Sequence, residues 1–118
     1  MEITMGNKTY PLKASFAFLK EIEKSYTAVE KGVKVEYGLA YHVNMLQERG
    51  DLRSLALILY LLGTGQKPRL EMNTVEAYLE DECEDIEGLI AEVIDFLSKA
   101  NVCKTQFKKF NLLPETKA

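Results

Sequence analysis

The sequence predicts a mainly α-helical protein in which one N-terminal β-hairpin leads into a bundle of about four to five helices. Three observations carry that expectation. Ile3-Thr4-Met5 and Lys8-Thr9-Tyr10 flank Gly6-Asn7, a pair suited to a two-residue hairpin loop because glycine tolerates positive φ. From Ser15 onward, apolar residues recur at helical spacing rather than in alternation. Glycines at 32, 50, 63 and 65 then punctuate the chain at helix-length intervals.

The hairpin is expected over residues 1–13. A Gly6-Asn7 loop sets Ile3 opposite Tyr10 and Met1 opposite Leu12, all on one face. An isolated two-stranded hairpin is marginal in water, so that face must pack on the helices. Ser15 is placed to cap a first helix whose stripe runs through Phe18, Leu19, Ile22, Tyr26 and Val29, with Gly32 as its stop. Val33-Lys34-Val35-Glu36 alternates weakly and reads as a short extended connector.

A second helix is expected over residues 37–49, ending at Gly50, and a third begins after Asp51 as N-cap. This third helix carries Leu52, Leu55, Leu59 and Leu62 on one face, yet Leu57, Ile58 and Leu61 make it apolar around much of its circumference. Lys67-Pro68-Arg69 marks a loop. Asn73-Thr-Val-Glu76 resembles a capping box that opens the longest helix, with Gly88 a candidate bend. Val102, Phe107, Phe110 and Leu112 suggest a last short helix. Residues 1–112 thus read as a single domain, and 113–118 as a flexible C-terminal tail.

Composition narrows the class. The 118 residues are 47% hydrophobic and 28% charged, the balance of an ordinary globular chain. A net charge of −3 argues against a nucleic-acid binder that works by neutralising phosphate. The longest apolar run, residues 55–62, is far short of the roughly 20 needed to span a bilayer, so no membrane contact is expected. Two cysteines outside any CxxC pattern and no secretory leader point to a reduced, cytoplasmic setting.

No catalytic constellation emerges. The single histidine, His42, has no sequence neighbour that completes a nucleophilic pair, and it reads as structural. Cys83 and Cys103 read as small packing groups, so neither metal nor cofactor is expected. The six carboxylates of Glu80-Asp81-Glu82-Cys83-Glu84-Asp85-Ile86-Glu87 read as a solvated face, or as a contact for a basic partner or neighbouring subunit. Lys99, Lys104, Lys108 and Lys109 supply the opposite sign. The third helix leaves two readings open: burial in mid-bundle, or an apolar strip of Leu55, Leu59 and Leu62 that grips another chain. Tyr37 and Tyr41, one turn apart, would extend such a strip.

The ordered series Glu2-Ile-Thr-Met-Gly-Asn-Lys-Thr-Tyr-Pro-Leu-Lys13, then Phe16-Ala-Phe-Leu-Lys-Glu-Ile-Glu-Lys24, resembles the start of tail assembly chaperones from long-tailed phages and prophages of Gram-positive bacteria. Gly32-Val-Lys-Val35, the leucine-rich third helix, and Val75-Glu-Ala-Tyr-Leu-Glu80 with Asp85-Ile-Glu87 continue the resemblance to about Phe110. The resemblance implies a non-enzymatic protein that binds the hydrophobic, helical tape measure protein and keeps it soluble until the tail tube assembles. It also implies self-association into homo-oligomers and later displacement by tail tube protein, in the host cell cytoplasm, with no place in the mature virion. The competing expectation is a self-assembling structural component retained in the particle.

Overall fold

The computed structural model describes residues 1–112; the tail expected at 113–118 lies outside the described residues. The element order is β1 (Glu2–Met5), β2 (Lys8–Pro11), α1 (Phe16–Lys24), β3 (Thr27–Glu30), β4 (Val33–Glu36), α2 (Gly38–Arg49) and α3 (Leu52–Leu62). Then come α4 (Met72–Ala77), which runs on into a π-helical turn (Tyr78–Glu82), α5 (Ile86–Lys99) and α6 (Lys104–Lys109). Among the described residues, six helices, 56% helical content and two separate antiparallel hairpins make the fold mixed α and β. The expectation of a mainly α protein with one hairpin and four to five helices is corrected on that ground.

The first hairpin has the expected register. Ile3 pairs with Tyr10, and the Leu12 N–H donates to the Met1 carbonyl at 2.7 Å. Of the two loop residues only Gly6 takes positive φ, 62°, as a type II′ turn requires. Ile3, Met5, Tyr10 and Leu12 are buried against the helices. Two bonds hold the hairpin there: Gly6 N–H to Glu82 Oε1 at 3.0 Å, and Lys13 N–H to the Leu62 carbonyl at 2.9 Å.

The departure comes after α1. Ser15 caps this helix as expected, accepting from Phe18 N–H at 3.2 Å, but the helix stops at Lys24 instead of running on to Gly32. Thr27–Glu30 instead pairs with Val33–Glu36, the segment read as a connector. Lys31 and Gly32 form the two-residue loop at φ 51° and 79°. Positive φ at both positions is the type I′ pattern, whose twist suits a hairpin. Thr27, Val29, Val33 and Val35 are β-branched, so local propensity favours strand over helix here.

A second correction concerns the stretch after residue 70. The cap expected from Asn73 is absent, because α4 starts two residues earlier, at Met72, with Glu71 at the N-cap. The single long helix is also divided. Its break falls at Cys83–Asp85, where Asp85 accepts from Gly88 N–H at 2.9 Å and starts α5 afresh. Gly88 therefore lies in the first turn of a new helix.

α3 occupies the middle of the molecule, packed against α1, α2 and α4. Asp51 caps it by accepting from Arg53 and Ser54 N–H. Leu55, Ile58, Leu59 and Leu62 are fully buried among Phe18, Ile22, Leu39, Val43, Val93, Leu97 and Phe107. Complete burial of each such side chain stabilises the fold by about 1.5–3 kcal/mol.

Among the glycines, Gly38 has the least room, where α2 begins against the end of α1. A Cβ on Gly38, the first residue of α2, would lie 1.5 Å from the Ile22 carbonyl oxygen and 2.7 Å from Ser25 Oγ. The obstacle is backbone, which cannot rotate aside. Gly38→Ala should lower the unfolding free energy by about 2 kcal/mol or more, read as a drop in the urea midpoint at unchanged m-value. A midpoint equal to the parent's would show that the two helices can separate without loss.

Candidate functional site

The α1–α2 junction positions the residues of interest. Glu23, near the end of α1, accepts from the Leu39 N–H at 2.8 Å through Oε1 and from Gln106 Nε2 at 3.2 Å through Oε2. One carboxylate thus caps the start of α2, where its charge opposes the helix dipole, and also holds α6. Beneath it lies Cys103, whose thiol is pushed up to about 12 by burial and by the Glu23 charge. That thiol is an apolar packing group with no nucleophilic character at neutral pH.

His42 closes the junction from the other side. Ser25 donates its hydroxyl to the Ile22 carbonyl at 2.5 Å, so its oxygen accepts from His42 Nε2–H at 2.9 Å. Nδ1 is then the acceptor and takes the Ser54 hydroxyl at 2.8 Å. The histidine ties α1, α2 and α3 together in its neutral form, and the Ser54 hydroxyl that it holds is buried.

Above this junction stands an aromatic surface. Tyr26 and Tyr41 stack in parallel at 4.0 Å between ring centroids. Tyr37 meets Phe110 edge-on at 6.1 Å. The two pairs adjoin, because the Tyr37 N–H donates to the Tyr26 carbonyl at 2.8 Å and continues the β3–β4 ladder. Tyr37 also donates its hydroxyl to Glu30, and that hydrogen bond raises the phenol's pKa above its usual value. Alternation along the strands puts Ala28, Val33 and Val35 on the same side as Tyr26 and Tyr37. Much of this surface meets solvent: Phe110 is 49% exposed, Tyr26 41%, Val33 62%, and Val29 on the opposite side 73%. Aromatic pairs of this kind contribute about 0.5–1.5 kcal/mol each beyond burial, enough to brace the base of the hairpin.

The sequence-derived candidates separate into two groups. Leu55, Leu59 and Leu62 are fully buried in the core. Tyr37 and Tyr41 are half-buried and belong to the aromatic surface. Tyr26, Val33 and Phe110 complete it, and the sequence reading assigned none of them to a binding surface. A signal existed in Lys31-Gly32 between β-branched runs, but lysine is not a favoured first residue of a type I′ loop. Of the six carboxylates, Glu82 and Asp85 are committed to the backbone bonds given above, and the others are exposed.

A second concavity, about 660 Å³, lies between α2 and α5, with Leu46, Ile90 and Ile94 among its lining and Glu48, Glu87 and Asp95 around them. None of the large exposed apolar residues lines it. Among the described residues no group of three or more His, Cys, Asp or Glu side chains could hold a metal ion. No described helix is long and apolar enough to cross a membrane.

An exposed aromatic and aliphatic surface on a rigid helical base suits a protein that binds other polypeptide chains. The chain belongs to the phage tail assembly chaperone family, whose model matches residues 2–111. No curated protein and no solved structure matches it significantly.

His42 supplies a test of the junction beneath this surface. Burial lowers its pKa below the usual 6.5, against an opposing contribution from Asp51. The unfolded chain therefore binds more protons than the folded one just below pH 6.5. Stability should be complete above that pH and fall as pH drops through 6.5 toward the folded-state value. His42→Gln should flatten the slope of unfolding free energy between about pH 7.5 and 5.5, where carboxylates contribute little. An unchanged slope would separate the histidine from the pH response.

Proposed function

We propose that this chaperone binds the hydrophobic, helical tape measure protein and keeps it soluble until the tail tube assembles around it. The role is binding rather than catalysis, carried out in the host cell cytoplasm, with the chaperone displaced by tail tube protein and absent from the finished virion. The observation that carries the reading is the exposed surface of Tyr26, Tyr37, Tyr41, Val33 and Phe110 in a member of this family.

The physical fit lies in what a helical client offers. An amphipathic helix presents apolar side chains at i, i+3, i+4 and i+7, and flat aromatic faces accept such anchors at low entropic cost. Leu55, Leu59 and Leu62, fully buried in the core, belong to the scaffold in this reading. The open geometry of the surface suits a client that must later be released, because no lid or deep pocket has to open.

Phe110→Ser tests this. Its side chain is half-exposed, so losing its burial and its edge contact with Tyr37 should lower folding stability by about 1–2 kcal/mol, with the fold kept by circular dichroism. Co-expressed with the tape measure protein of the same phage, the wild-type chain should co-purify with it and raise its soluble yield. The variant should do so several-fold less. A variant as effective as wild type would remove Phe110 from the contact. Failure of the wild-type chain to co-purify would overturn the tape measure reading itself. Detection of the chain in purified virions would favour a retained structural component.

A further inference from the structure

We propose that the free edge of β4 pairs with the β4 edge of a second copy of this chain, joining two hairpins into one four-stranded sheet. The inference goes beyond the client reading: it rests on the backbone edge of β4, and Val33 is shared by the two surfaces.

Hydrogen-bond parity decides which groups face outward. The Tyr37 N–H to Tyr26 carbonyl bond makes those two residues a bonded pair, and in an antiparallel ladder bonded pairs recur at every second position. Ala28–Val35 and Glu30–Val33 are therefore bonded pairs as well. Lys34 and Glu36 fall between them, so their N–H and C=O groups point away from β3. Among the described residues no other segment bonds to these groups. An edge in that state is a template for another strand.

The side chains favour a second copy as the occupant. Lys34 and Glu36 are both exposed and lie two residues apart on one side of the strand. Centre an antiparallel pairing on Val35 and its copy. Lys34 of each chain then faces Glu36 of the other, both pairs fall at positions whose backbone groups point outward, and valine meets valine. Centring on Lys34 or on Glu36 sets like charges opposite each other, and a shift by one residue sets outward groups against inward ones. The strand is thus its own complement in one register. The other edge of the hairpin, presenting Thr27 and Val29, carries no charge pattern that selects a register.

The two-fold axis of such a pair runs perpendicular to the sheet, so the same face of each hairpin points the same way. Ala28, Val33 and Val35 of both copies then form one continuous apolar strip. It also answers a physical problem of the single chain, because a two-stranded sheet exposed on both faces is marginal by itself and a four-stranded one is not.

Sedimentation velocity on the full chain, over a concentration series reaching the high micromolar range, tests the pairing. The wild-type chain should dimerise. Lys34→Glu and Glu36→Lys each place like charges at both contacts and should weaken dimerisation about tenfold or more. An equimolar mixture of the two variants restores opposite charges at both contacts and should associate like wild type. The exchange variant carrying both changes should do the same. Far-UV circular dichroism verifies that each variant is folded. A monomeric wild-type chain, single variants that associate normally, or a mixture no tighter than its components would each overturn the proposal.

Discussion

The close approach of α1 and α2 at Gly38 is the constraint on which the rest of the molecule depends. With the Ile22 carbonyl against its Cα, α2 can start only where no side chain intrudes. Glu23 then reaches the Leu39 N–H and caps the helix from the neighbouring element. The chain between the two helices, residues 25–37, connects the two sides of that contact. It leaves as the β3–β4 hairpin, with Tyr26 and Tyr37 paired at its base. The exposed surface thus stands beside the tight contact at Gly38, on a scaffold whose core includes the fully buried Leu55, Ile58, Leu59 and Leu62 of α3.

Much of the scaffold was legible in the sequence because its signals are local. The Gly6-Asn7 loop, the Ser15 and Asp51 caps and the Gly50 stop, at φ 59°, each depend on a few adjacent residues and stand where the pattern puts them. The second hairpin was obscured because Phe18, Leu19, Ile22, Tyr26 and Val29 keep helical spacing across a real helix end. Periodicity alone cannot show that Ser25 closes α1 by bonding back to Ile22. The division at Cys83–Asp85 was hidden in a similar way, by acidic residues that are compatible with a continuous exposed helix.

The proposed client surface was only partly legible. Tyr37 and Tyr41 stand out by spacing, but their partners Phe110 and Tyr26 arrive from α6 and from the foot of β3, and only tertiary structure brings them together. The leucines of α3 illustrate the converse. A helix apolar on most sides reads equally as a core element or as a grip, and the choice depends on how many neighbours surround it. Here α1, α2 and α4 pack against it, and Leu55, Leu59, Leu61 and Leu62 face the core while Leu52 is exposed.

The central proposal is that the client meets the aromatic surface on the β3–β4 side of the α1–α2 junction. Hydrogen exchange by mass spectrometry, comparing the free chain with its complex with the tape measure protein, tests it directly. The account predicts added protection in residues 26–41 and 106–112, with little change across α5. Protection concentrated in 87–98, along the α2–α5 cleft, with 26–41 unchanged would contradict it.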